Sequence, residues 1–116
     1  MAQPPMLIID DPIQDCLRLV RGHRVLLQTD LARLLGVPPE KLLPPAQTFP
    51  GEFCFPLEPA EIVMLGDDSW NRDQPIHAFS EQGAFIAAFL LNTPESLARG
   101  IQIARAFARL RRNERN

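Results

Sequence analysis

An α+β domain is the fold class this sequence predicts, and three observations carry it. Short apolar runs bounded by turn residues fill much of the first 80 positions, as strands would. Two later segments, opening at Ser80 and Thr93, carry helix-start signals and helical spacing. Between the early strands lies a glycine-centred pair of short helical segments, residues 29–43. The predicted order is a β-hairpin, a short helix-turn-helix-like pair, additional short strands and two C-terminal helices.

The chain has 116 residues, enough for one domain with a modest core. Residues 1–12 read as an N-terminal arm, 13–112 as the domain and 113–116 as a tail. Met6 to Ile9 is a short apolar run, stopped by Asp10, Asp11 and Pro12. Ile13 to Val20 reads as a half-buried strand, because Leu17 and Leu19 alternate around Arg18. Arg21-Gly22-His23 is a turn, with Gly22 free to take positive φ. Arg24 to Gln28, with its Val25-Leu26-Leu27 centre, is the returning strand.

Thr29 is then a helix cap, with Asp30 in the first turn against the positive end of the dipole. Leu31, Leu34 and Leu35 recur at helical spacing, and Gly36 suits the left-handed conformation that ends a helix. Pro38-Pro39 opens a second, very short helix through Leu43, which Pro45 prevents from extending. Phe53 to Leu57 is a further strand. Pro59 to Leu65 is a short helix, residues 66–75 a polar loop, and Pro75 to Phe79 the last strand.

Ser80 caps a helix in which Phe85, Ile86, Phe89 and Leu90 mark a core face. Asn92 ends it. Thr93-Pro94-Glu95 starts the final helix, which runs to about Arg112. Its apolar stripe is Leu97, Ile101, Ala104 and Ala108, extended by Phe107 and Leu110, while Arg105, Arg109 and Arg112 stand on another face.

Composition narrows the function classes. The net charge is −2 and the isoelectric point about 5.6, against the basic surplus usual in nucleic-acid-binding chains. A local basic patch would still suffice for phosphate contact. Cys16 and Cys54 lack metal spacing and sit among apolar residues, which predicts buried free thiols in a reducing, cytoplasmic setting. No apolar run has the length of a membrane span, and no secretory signal opens the chain. His23 and His77 are not at ligand spacing, and no glycine-rich phosphate loop is present. Neither an enzyme nor a metal or other cofactor is therefore expected.

Several segments together resemble a known family. They are Arg21-Gly22-His23-Arg24-Val25-Leu26-Leu27, Asp30-Leu31-Ala32 with Leu35-Gly36-Val37, and Phe49-Pro50 with Phe53-Cys54-Phe55-Pro56-Leu57. Glu61, Ala78-Phe79-Ser80-Glu81-Gln82-Gly83-Ala84 and Ile103-Ala104-Arg105-Ala106-Phe107 with Leu110-Arg111 follow. In this order they resemble the N-terminal DNA-binding domain of phage ORF-six proteins, a relative of the KilA-N domain, over roughly residues 13–112. The resemblance implies a KilA-N-like fold and a phage or prophage DNA-binding protein that regulates transcription. It also implies that the second helix and a loop between later strands approach DNA.

The candidate DNA-binding residues are Arg24, Arg33, Lys41, Gln47, Thr48 and Arg72, with double-stranded DNA as partner and a homodimer supplying two half-sites. Two departures support a second reading. The family's basic, Asn-containing run before Phe49 is replaced here by Pro44-Pro45-Ala46-Gln47-Thr48. The loop expected as a wing carries Asp67, Asp68 and Asp73 against Arg72, and a duplex repels those carboxylates. In that second reading the fold is a protein-interaction module, with Trp70 as the partner contact.

Overall fold

The structure, a computed structural model, describes residues 13–42, 49–66 and 75–115. After a helical turn at 13–16 come β1 (Arg18–Val20), β2 (His23–Leu27), α1 (Gln28–Leu35) and a 3-10 turn (Pro39–Leu42). Next are β3 (Cys54–Pro56), α2 (Pro59–Leu65), β4 (His77–Phe79), α3 (Glu81–Leu91) and α4 (Pro94–Arg115). The class is α+β, as predicted. The four strands form one antiparallel sheet in the order β1-β2-β4-β3.

Strand alternation divides the apolar residues between two cores. Leu26, Phe79 and Cys54 stand in register on one face of the sheet. They pack with Ile13, Leu31, Ala84 and Ile103 under α1, α3 and α4. Val25, Leu27 and Ala78 point the other way, onto Leu57, Ile76 and Ile62 of α2. The sheet is thus sandwiched between α2 and the three other helices.

Turn chemistry explains the joints. Arg21 and Gly22 have φ of 55° and 82°, the pair of positive values that closes a two-residue hairpin. Gly36, at φ 75°, ends α1 and donates its N–H to the Arg33 carbonyl. Glu58 and Glu61 form a reciprocal capping box around Pro59 at the start of α2. Ser80 caps α3, its Oγ accepting from the Gly83 N–H at 3.2 Å.

Several expectations are corrected. The strand expected over 13–20 is a helical turn followed by a three-residue strand. Ile13 and Leu17 are both buried in the same core, and the Leu17 N–H donates to the Gln14 carbonyl at 3.1 Å, a local bond that closes a helical turn instead of pairing with a strand. Thr29 is not the cap of α1: the helix starts at Gln28, and Leu27 at its cap makes no side-chain bond. Gln28 instead turns inward. Its Nε2 donates to the Pro39 carbonyl at 3.0 Å and its Oε1 accepts from the His77 N–H, joining α1, the 3-10 turn and β4. The second helix is a single 3-10 turn among the described residues, with Leu42 buried and Lys41 exposed. The last helix continues to Arg115, so residues 113–115 are helix rather than tail.

The largest correction concerns the faces of α3 and α4. On α3 the buried residues are Gly83, Ala84, Ala87 and Ala88, while Phe85, Phe89 and Leu90 are 41%, 60% and 57% exposed. On α4 the buried residues are Ser96, Gly100, Ile103, Ala106 and Phe107, and Ile101 is exposed. Close approach is the reason. A Cβ on Gly100 would stand 2.9 Å from the Ala88 Cβ, and one on Gly83 would stand 2.0 Å from the Phe53 carbonyl oxygen. Spacings this tight admit only small side chains where the helices meet, so on α3 the bulky ones face outward.

His77 on β4 is buried, with Nδ1 unpartnered among the described residues, and desolvation lowers its pKa from the usual 6.5. The unfolded chain therefore takes up the proton first. Its contribution to stability is complete above about pH 6.5 and is lost as pH falls towards the folded value. The melting temperature is expected to fall as pH is lowered from 7 to 5 by about the amount that His77→Leu removes. Scanning calorimetry of both chains checks this, and an equal slope in the variant would assign the effect to another group.

Candidate functional site

The hairpin, the start of α3 and the end of α4 enclose an open cleft of about 800 Å³. Each element arrives for a local reason. The tight turn projects Arg21, and β2 carries Arg24 on the face of the sheet that α4 covers. The Ser80 cap fixes Glu81 in the first turn of α3, and the length of α4 brings Arg111 and Glu114 alongside.

Charge lines this cleft, but in pairs. Arg24 donates from Nε and Nη2 to Glu114 at 2.9 and 2.5 Å, and from Nη1 to the Leu17 carbonyl. Arg111 donates to Glu81 at 2.6 Å, which raises the guanidinium pKa further. Arg21 grips Glu61 through Nε and Nη2 at 2.8 and 2.9 Å, and its guanidinium lies 4.4 Å over the Phe55 ring. The Arg21 guanidinium and the Glu58 N–H together hold the Glu61 carboxyl down at about 2. These pairs join hairpin to α4, α4 to α3, and hairpin to α2.

Three of the expected DNA-contacting residues, Arg24, Arg33 and Lys41, are among the described residues. Arg24 lines the cleft; Arg33 and Lys41 do not. Arg33, on α1, is paired with Asp30 at 3.0 Å and donates to the Cys16 Sγ at 3.4 Å. Lys41 is exposed on the 3-10 turn. Gln47, Thr48, Arg72 and Trp70 lie outside the described residues. Of the two thiols, Cys54 is buried, and desolvation pushes it up to about 12; Cys16 is half-buried and also raised by desolvation. Both are held as thiols at neutral pH, which removes the thiolate that a nucleophile needs.

Three residues that matter here had weak signals in the sequence. Arg21 in a left-handed turn reads only as part of a loop. The partner of Arg24 is Glu114, 90 positions away. Gln28 looks like the polar end of a strand. Only the Pro59 and Glu61 start of α2 had a legible pattern.

The other prominent surface feature is apolar. From Ala84 to Leu91, α3 has no polar residue. The Phe85 ring packs against Gly100 of α4, and Ile101, the next residue of α4, is also exposed. Phe89 follows one turn along the same side of α3. A helix apolar on all sides is normally covered on all sides. No helix among the described residues is long and apolar enough to cross a membrane.

Comparison with protein-family models, curated proteins and solved structures returned no match.

Proposed function

We propose that this chain is a KilA-N-like domain that works as a protein-interaction module. The observation that carries this reading is the apolar face of α3 that the described residues leave uncovered, formed by exposed Phe85, Phe89 and Leu90 with half-buried Ile86. Their exposed area, with Ile101, is roughly 300–400 Å², the size at which the largest apolar patch of a monomer is often functional. The state of the arginines supports it. Arg21, Arg24 and Arg33 are each held by a carboxylate of the same chain, which neutralises these cations of the hairpin and α1 in pairs.

One observation favours duplex DNA as a second reading. Lys41 on the 3-10 turn and Arg105 and Arg112 on α4 are exposed cations. Exposed ion pairs are worth only about 0–1 kcal/mol, and phosphates compete for arginines held so weakly.

Binding of a fluorescent random-sequence duplex across a salt series separates the two. The interaction module gives no binding that weakens linearly in log salt. Salt-dependent binding that disappears in the triple variant Arg24→Ala, Arg33→Ala, Lys41→Ala would establish the DNA reading instead.

A further inference from the structure

We infer that the occupant of the α3 face is a second copy of this chain, docked antiparallel about a two-fold axis. The inference rests on the reading of that face as a docking surface and names its partner.

Three observations select a copy. The first is charge. Between Ala84 and Leu91 there is no ionisable group, so a copy brings no like charge to the contact, and a charged partner would gain no counter-charge there. The second is spacing. Phe85, Ile86, Phe89 and Leu90 lie symmetrically about the midpoint between Ala87 and Ala88. When an antiparallel copy is laid on that midpoint, Phe85 falls opposite Leu90 and Ile86 opposite Phe89. This self-match is what an isologous interface requires. The antiparallel arrangement also opposes the two helix dipoles.

The third observation is size and surroundings. Gly100 packs on Ala88, close to the midpoint of α3, so α4 flanks α3 at the level of the axis. Two helix hairpins then meet as a four-helix layer. The apolar area is smaller than the roughly 800 Å² per partner of a standard interface, which makes this a weak dimer. A dimer of this size dissociates on dilution.

Sedimentation equilibrium of the full chain over a wide concentration range tests this, with three samples beside the wild type. They are Phe89→Glu, Ile86→Lys, and an equimolar mixture of the two. In the mixed dimer one of the two 86–89 contacts becomes Glu against Lys, while the other keeps Ile against Phe. The expected result is a wild-type dimer, about tenfold or more weaker dimerisation in each single variant, and recovery in the mixture. Circular dichroism melts establish that the variants fold. If Ile86→Lys, a half-buried position, does not fold, the exposed pair Leu90→Lys and Phe85→Glu makes the same test. A wild type that stays monomeric, or a dimer indifferent to Phe89→Glu, overturns the copy as occupant. It leaves the interaction reading standing, since that reading is tested separately by salt-dependent DNA binding.

Discussion

Gly83→Ala is expected to destabilise the domain by about 3 kcal/mol or more, the upper range for an overpacked site. The added Cβ would stand 2.0 Å from the Phe53 carbonyl oxygen and 2.8 Å from its carbon. These are backbone atoms, and they are held. The same carbonyl accepts the Ser80 N–H at 2.9 Å and lies 3.3 Å from the Ser80 Oγ. Relief therefore requires moving α3 away from the end of β3, which loosens the Ser80 cap as well. Helix propensity acts the other way: alanine is better than glycine within a helix by about 1 kcal/mol, so a loss cannot come from that source. With a total stability of about 5–15 kcal/mol for a domain of this kind, the variant loses a large part of its margin. Urea unfolding measures it. Gly100→Ala serves as the graded comparison, because its Cβ would meet the Ala88 methyl at 2.9 Å rather than backbone. The expected order of stability is wild type, Gly100→Ala, Gly83→Ala.

Local signals made the element order legible, and long-range contacts decided the rest. Gly22, Gly36, Ser80, Asn92 and the Thr93-Pro94 step act within a few residues of themselves, so hairpin turn, helix ends and helix starts could be read in place. The cap of α1 could not. Gln28 displaces Thr29 because its amide finds Pro39 and His77, which only the folded sheet brings near.

Periodicity identified α3 and α4 as helices, but it misassigned the buried side of α3, and on α4 it placed Phe107 and Leu110 at the core but also exposed Ile101. α3 is apolar all round, so spacing alone gives no reason to bury Ala84, Ala87 and Ala88 rather than Phe85 and Phe89. The deciding quantity is the distance between backbones at Gly83 and Gly100, which a one-dimensional pattern does not contain. The candidate site shows the same limit. Arg24 and Arg33 were identifiable as cations in the sequence, but their neutralisation by Glu114 and Asp30 follows from the fold. The first pairing spans nearly the whole chain; the second depends on which way α1 faces.

Phe79→Ala is expected to cost about 3–5 kcal/mol, the range for removing a fully buried phenylalanine. Phe79 has no exposed surface and lies on β4, an inner strand of the sheet, level with Leu26 of β2 and Cys54 of β3. The Phe49 ring meets it edge-on, with centroids 6.3 Å apart. Strand backbones on both sides fix this site, so it cannot collapse onto the space left behind. Phe79→Leu keeps most of the volume and should cost less than half as much. Phe89→Ala provides the contrast. With 60% of its surface exposed, that ring can be truncated within about ±0.5 kcal/mol of neutral for folding of the monomer. Under the dimer inference, the same substitution weakens self-association. Chemical denaturation at low concentration, where the chain is monomeric, should therefore rank the variants Phe89→Ala, Phe79→Leu, Phe79→Ala in falling stability. Sedimentation should pick out Phe89→Ala as the one that folds normally and associates less. A Phe89→Ala variant as unstable as Phe79→Ala would show that α3 is turned with its large residues inward, and the α3 face would then have no partner to explain.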